Sequence, residues 1–318
     1  MFLPILFIVI GLVILIFGAE GLVRGAASGA KKLGIKPLVV GLTVVAFGTS
    51  APELIVNLFS AARGSADIAI GNIVGSNIAN ILLILGVCGA IRALKVGSNT
   101  VWKEIPLALL AILLVFVMGN DALLDKVDFN ILSRTDGLAL MGFFVIFLYY
   151  TYGLAKSEPG AKDEISDYSW PISIGLTVAG LVGLFLGGKL LVDNAIILAR
   201  IAGMSEALIG LTIVAIGTSL PELATSVIAT IHGHDDIAIG NVVGSNIFNT
   251  FWILGLTSTI LSLPFTPAVN FDIGVNIIAT LLLFAFMFIH SKQRLNRWQG
   301  FMFVGFYVVY VGFLIYRG

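Results

Sequence analysis

Residues 48–53 read Gly48-Thr49-Ser50-Ala51-Pro52-Glu53, and residues 217–222 read Gly217-Thr218-Ser219-Leu220-Pro221-Glu222. Each hexapeptide lies inside an apolar stretch and at the centre of a longer match. Residues 41–91 align without a gap on residues 210–260, at an offset of 169, and 28 of these 51 positions are identical. The same offset carries Gly18 onto Gly187, Leu22 onto Leu191, Val23 onto Val192 and Gly34 onto Gly203. Further on, Arg134-x-x-Gly137 recurs as Arg297-x-x-Gly300 at a slightly shorter spacing. Self-similarity at a fixed offset sets the architecture before any local reading does.

The composition says where this repeat lives. Hydrophobic residues make up 58% of the 318 positions and charged residues 11%, whereas a soluble domain carries about 25% charged residues. So few charges cannot coat a globule of this size, and the chain reads as an all-α polytopic membrane protein. Its 36 glycines suit closely packed membrane helices. Lys and Arg together number 18, as do Asp and Glu, so no net charge points to a nucleic-acid partner. The single Cys88 excludes an internal disulfide.

A membrane helix needs about 20 mainly apolar residues. Ten stretches qualify, near 2–23, 37–62, 68–91, 105–118, 137–154, 171–192, 207–231, 237–263, 273–290 and 299–316. The fourth is the shortest. The first lacks the basic start and cleavage site of a signal peptide. The connections are too short for a soluble domain, so the expectation is a single membrane domain over 1–318. Repeat one covers about 1–155, repeat two about 170–318, and a short linker 156–169. Assigned alternately to the two sides, the loop and flanking Lys and Arg residues divide twelve against five. The richer set should be cytoplasmic, which puts both termini outside.

Five spans per half is an odd number, so the second half must enter the membrane from the opposite side. Ten helices in two inverted five-helix repeats is a transporter plan, with the substrate site near the midplane where the halves meet. The identity concentrates in polar residues, which packing against lipid does not require.

An ionised carboxylate at mid-membrane costs roughly 2.5–3.5 kcal/mol on insertion scales, with higher values in simulations. Glu53 and Glu222 therefore need compensation. Thr49, Ser50 and Glu53 share one helical face, and Pro52 removes an N–H and crowds the carbonyl of Gly48, freeing main-chain oxygens around 46–49. Pro221 does the same in the second half. The next span adds Asn72, Ser76 and Asn80 at four-residue spacing, repeated as Asn241, Ser245 and Asn249. These are hard oxygen donors without Cys or His. The set suits Ca²⁺, Na⁺ or Mg²⁺ and disfavours Zn²⁺ and Cu⁺. Mg²⁺ keeps its waters, while Ca²⁺ accepts many dehydrated oxygens. Two carboxylates balance one Ca²⁺ or two Na⁺.

GTSAPE, GTSLPE, GNIVGSNIAN and GNVVGSNIFN resemble the two α-repeats of the sodium/calcium exchangers, within the cation/Ca²⁺ antiporter superfamily. The likeness is strongest to small prokaryotic members without a large regulatory loop. It implies antiport of Ca²⁺ against Na⁺ by alternating access, with Ca²⁺ export, in the cell inner (plasma) membrane and as a monomer. It implies no enzyme activity and no cofactor, the ions being substrates. By motif position it implies ligands from the side chains of Thr49, Ser50, Glu53, Ser76, Asn80, Thr218, Ser219, Glu222, Ser245 and Asn249. Main-chain oxygens of Ala46, Thr49, Ala215 and Thr218 would join them. Some relatives, including K⁺-dependent ones, carry Asp at the position of Asn249, and H⁺-coupled members show a GNxxE-type motif that these helices lack. K⁺- or H⁺-coupled Ca²⁺ antiport is therefore the alternative rather than the first reading. An intramembrane enzyme would need a reason for two equivalent carboxylates to differ, and a channel would repeat about an axis along its pore.

Other charges carry weaker signals. Glu20 and Lys189 occupy equivalent repeat positions, as do Arg24 and Asp193; snorkelling near helix ends competes with pairing between the halves. Asn57 and Ser226 could line an ion path or bond neighbouring helices. Asp67 and Asp236 should cap helix starts. Asp121, Asp125, Asp128 and Asp136 read as a solvated outer loop, and His232 and His234 as a cytoplasmic turn.

Overall fold

The computed structural model describes residues 2–156, 168–202, 215–289 and 293–317. Most of the linker, Gly203 and the opening residues of the seventh stretch lie outside these, as do Lys162 and Lys292 of the basic set. Among the described residues, eight helices are long and apolar enough to cross a membrane. They are α1 (Phe2–Leu33), α4 (Ala66–Ile91), α5 (Thr100–Met118), α6 (Arg134–Ala155), α7 (Trp170–Ile201), α10 (Asp235–Ile260), α11 (Val269–Phe286) and α12 (Arg297–Arg317). Together α2 (Pro37–Thr49) and α3 (Ala51–Ala62), which meet at an angle of 44°, are long and apolar enough for a ninth if the bent pair is one span. The short apolar α9 (Leu220–Ile231) follows a single turn, α8 (Ala215–Thr218).

The bend between α2 and α3 has the cause the sequence contains. Pro52 lies in the first turn of α3, where a missing N–H costs nothing. Ser50, between the two pieces, has left helical geometry at φ −82°, ψ 6°. Ser219 repeats this at φ −86°, ψ 5°, ahead of Pro221.

Burial separates core from periphery. In their most apolar 18-residue windows α4 and α10 are 78% and 94% buried, and α1 and α7 only 22% each. The glycine-bearing, polar-striped helices are thus the centre of the molecule, and α1 and α7 pack outside them. Gly240 and Gly244 of α10 let α2 close in: a Cβ on Gly240 would lie 2.9 Å from the Leu38 carbonyl oxygen.

Helices α1 and α7 lie antiparallel along a seam of glycines. A Cβ on Gly11 would sit 2.8 Å from the Gly187 carbonyl oxygen, and one on Gly180 would sit 2.7 Å from that of Gly18. The offset of 169 turns the first pair into the second. Two short antiparallel strand pairs behave alike. β1 (Leu94–Lys95) pairs Leu94 with Leu295 of β4 (Arg294–Leu295), and β2 (Ile131–Leu132) pairs Leu132 with Leu263 of β3 (Leu263–Pro264).

Several sequence expectations are revised. Both α1 and α7 have 32 residues, roughly 48 Å of helix against a hydrocarbon core of about 30 Å. Arg24, Lys31 and Lys32 therefore belong to α1 and not to a loop. The fourth crossing begins at Thr100, which brings Glu104 inside it. That carboxylate is fully buried and accepts a hydrogen bond from Tyr150 of α6. Asp67 and Asp236 are not caps: Ser65 and His234 precede the helices, and both aspartates lie in the first turn. There they suit the positive end of the helix dipole, and Asp67 accepts from Thr266. Glu20 pairs with Arg24 and Lys189 with Asp193 one turn along the same helix, rather than Glu20 with Lys189 or Arg24 with Asp193. Glu20 also meets His232 Nε2 at 3.5 Å. Within residues 119–136, Asp121 accepts from the main-chain N–H of Ile131, and Asp136 completes a capping box with Ser133.

Candidate cation site

Six helices carry the motif residues to one place. Thr49 ends α2, and Ser50 and Glu53 straddle the break into α3. Thr218, Ser219 and Glu222 occupy the same positions from α8 into α9. Ser76 and Asn80 come from α4, and Ser245 and Asn249 from α10. Glu53 and Glu222 are each 1% exposed. Two carboxylates buried this completely in a membrane protein mark a functional site by default.

The hydrogen bonds between these residues come in related pairs. Ser76 Oγ donates to Glu53 Oε1 at 3.5 Å, and Ser245 Oγ donates to Glu222 Oε1 at 3.5 Å. Thr49 Oγ1 donates to Asn241 Oδ1 at 3.1 Å, and Thr218 Oγ1 to Asn72 Oδ1 at 3.4 Å. Asn80 Nδ2 donates to Asn246 Oδ1 at 2.9 Å, and Asn249 Nδ2 to Asn77 Oδ1 at 3.1 Å. Adding 169 to the first-half residue and subtracting it from the second-half residue converts each bond across the halves into its mate. The pairing is not complete: Ser50 Oγ donates to Glu222 Oε1 at 3.0 Å, but Ser219 Oγ donates to Ser76 Oγ at 3.3 Å, and Asn246 Nδ2 donates to the Asn77 carbonyl oxygen while Asn77 Nδ2 donates to Thr250 Oγ1.

Among the described residues, Glu53 Oε2, Glu222 Oε2, Asn80 Oδ1 and Asn249 Oδ1 are buried with no hydrogen-bond partner. Leaving a buried acceptor unpaired costs about 1–3 kcal/mol, and more for a charged one. Four at the meeting point of two motifs fit a site built for cations, which oxygen satisfies and N–H groups cannot. With the hydroxyls, these are Ca²⁺- or Na⁺-type donors.

Local helix geometry is also unusual beside the stripes. Ala79–Leu85 and Phe248–Leu254, again 169 apart, are π-helical, and each begins at the turn that carries Asn80 or Asn249. Such wide turns gather at functional sites. Propensity gives no sign of them. The Ala46 carbonyl oxygen accepts from the Ser50 N–H at 3.0 Å and from Thr49 Oγ1 at 3.4 Å. Ala215 is at the edge of the described residues, and its side chain is not among them.

Asn57 and Ser226 bond helices together. Asn57 Nδ2 donates to the Ala69 carbonyl at 2.7 Å, and Ser226 accepts from Asn241 Nδ2 at 2.9 Å. Asn77 and Asn246 were not singled out from sequence, because they lie one residue off the stripe of Ser76 and Ser245.

A buried double-carboxylate site held by two related halves of a helical membrane protein defines a secondary cation transporter. The chain belongs to the sodium/calcium exchanger family: the family profile described as "Sodium/calcium exchanger protein" matches residues 3–153 and 172–316. It is 40% identical to the "Putative antiporter CaxA" of Alkalimonas amylolytica, over 93% of each chain. It is 32% identical to the "Sodium/calcium exchanger MaX1" of Methanosarcina acetivorans, over 98% of each. Its fold matches a solved structure of the sodium-calcium exchanger NCX_Mj with a TM-score of 0.84 and 32% identity, over 98% of each chain. The protein is thus a cation/Ca²⁺ antiporter of the membrane and not an enzyme.

Proposed function

We propose that this antiporter exchanges Ca²⁺ for Na⁺, exporting Ca²⁺ across the cell inner membrane, with the twelve motif residues from Ala46 to Asn249 as ligands. Its plan is ten spans in two inverted five-helix repeats within one membrane domain, with both termini outside, and it works as a monomer. The observation that carries this is the set of four unpartnered buried oxygens on Glu53, Glu222, Asn80 and Asn249. Their formal charge of −2 matches one Ca²⁺ or two Na⁺, so the two ions compete for one site and cannot cross together. The antiparallel glycine seam and the exchange-related hydrogen bonds support the inverted plan. The Na⁺ gradient of a living cell is directed inward, and antiport then drives Ca²⁺ outward.

Alternating access requires α1 and α7 to move over the core. Their stripe-free faces can slide without breaking buried hydrogen bonds. Among the described residues α1 packs along α9, whereas its counterpart α7 has little contact with α3. That asymmetry fits a state closed on the cytoplasmic side.

Equilibrium binding of ⁴⁵Ca²⁺ to the purified protein tests the reading. Na⁺ should displace bound Ca²⁺ competitively, and K⁺ should not. Binding that ignores Na⁺ would remove the shared site.

A further inference from the structure

Four buried asparagines lie side by side where α4 and α10 cross: Asn77, Asn80, Asn246 and Asn249, all 4% exposed or less. Only Asn80 and Asn249 belong to the ligand set. An asparagine amide has oxygen on one side and NH₂ on the other, with nearly the same shape, so half a turn about χ2 replaces a cation ligand by a group that repels cations. A site using two amide oxygens must therefore fix which way each amide faces.

We propose that Asn77 and Asn246 are positioning residues that hold the amides of Asn80 and Asn249 with oxygen towards the transported cation. This rests on the site described above and goes beyond it. The argument on one side starts from a main-chain carbonyl. Asn246 Nδ2 donates to the Asn77 carbonyl oxygen at 3.3 Å, and that oxygen can only accept. The orientation of Asn246 is thereby set, and its Oδ1 faces Asn80. Asn80 must present NH₂ to it, at 2.9 Å, so Asn80 Oδ1 is turned away and is unpartnered. On the other side Asn77 Nδ2 donates to Thr250 Oγ1 at 2.9 Å, and Asn77 Oδ1 accepts from Asn249 Nδ2 at 3.1 Å. Asn249 Oδ1 is left unpartnered, although the Thr250 hydroxyl, able to donate or accept, holds Asn77 less strictly than the carbonyl holds Asn246. The anchors differ for a reason in the sequence: the repeat position of Thr250 is Ile81, which has no hydroxyl, so Asn246 uses main chain instead.

A carboxylate has oxygen on both sides and needs no such clamp. This makes the role separable from folding and from charge. Asn77→Leu and Asn246→Leu should each raise the KM for Ca²⁺ in proteoliposome exchange by roughly tenfold or more, the usual effect of losing a group that orients a metal ligand. The maximal rate should change less. Adding Asn249→Asp to Asn77→Leu should restore the KM, and adding Asn80→Asp to Asn246→Leu should do the same. The crossed combinations, Asn80→Asp with Asn77→Leu and Asn249→Asp with Asn246→Leu, should not. Rescue by every added carboxylate would mean that charge and not orientation is at work, and would overturn the proposal. So would an unchanged KM in both Leu variants. Thermal unfolding checks each preparation, and Asn77→Ala and Asn246→Ala serve in the same scheme where a Leu variant does not fold. Glu53→Gln and Glu222→Gln run alongside. Normal Ca²⁺ binding in those would reject the site itself, whereas their failure beside unaffected Asn77 and Asn246 variants would reject only the clamp.

Discussion

Ser50 of the first motif donates a hydrogen bond of 3.0 Å to Glu222 of the second, 172 residues away. Its counterpart Ser219 turns to Ser76 instead, at 3.3 Å. The two halves share one site, and at this point they occupy it unequally. A transporter built from inverted halves must be unequal in any state open to one side, because equal halves would open both sides alike or neither.

The carboxylates provide the formal charge among the proposed ligands. At about 4 Å and an effective dielectric constant of about 20, one carboxylate and a monovalent cation attract by roughly 4 kcal/mol, and a divalent ion by more. Glu53→Gln and Glu222→Gln should each abolish Ca²⁺ exchange. Their thermal unfolding in detergent should match that of the native chain, since glutamine keeps the shape and the acceptor for Ser76 or Ser50. Normal exchange rates in both well-folded variants would count against the site.

Asn249→Asp takes the formal site charge towards −3. The account expects exchange to gain dependence on an additional cation or on protons. Initial rates of Ca²⁺ uptake at varied Na⁺, K⁺ and pH check this, and an unchanged profile would mean that residue 249 does not face the ions.

Much of this was legible in sequence. The motif repeat located Glu53, Glu222 and both polar stripes, because an intramembrane carboxylate has few explanations and two at one offset have fewer. The bend at Ser50 followed from Pro52. The orienting amides of Asn77 and Asn246 did not follow, since their role depends on which helix crosses which, and a stripe read at four-residue spacing passes them by. The π-helical turns at Asn80 and Asn249 and the two strand pairs, Leu94 with Leu295 and Leu132 with Leu263, are tertiary features without a local signal. Glu104 was missed because hydropathy alone starts its span one residue later, while its partner Tyr150 lies on another helix.

The glycine seam gives a test of packing. Gly18→Leu places a Cβ 2.7 Å from the Leu184 main-chain nitrogen, where backbone must move. It should lower stability by about 1–3 kcal/mol or more, the usual cost of overpacking. Gly29→Leu, on the same helix with nothing within 4 Å, is the matched control and should be near neutral. Equal melting temperatures for the two variants would contradict the seam.

Glu20 Oε1 of α1 and His232 Nε2 at the end of α9 lie 3.5 Å apart, across the boundary proposed between moving and fixed parts. A short, cleavable thiol cross-linker joining Glu20→Cys and His232→Cys should stop exchange, and cleaving it should restore it. Full exchange in the cross-linked protein would place the moving part elsewhere. Native Cys88 is buried and should not interfere.

The central claim is that Na⁺ and Ca²⁺ compete for one carboxylate site and therefore exchange. Uptake of ⁴⁵Ca²⁺ into proteoliposomes of the purified chain, with Na⁺, K⁺ or H⁺ gradients imposed one at a time, tests it most directly. An outward Na⁺ gradient alone should drive Ca²⁺ accumulation, and Glu53→Gln should remove it. Accumulation driven by a K⁺ or H⁺ gradient without Na⁺, or undiminished in Glu53→Gln, would contradict the account.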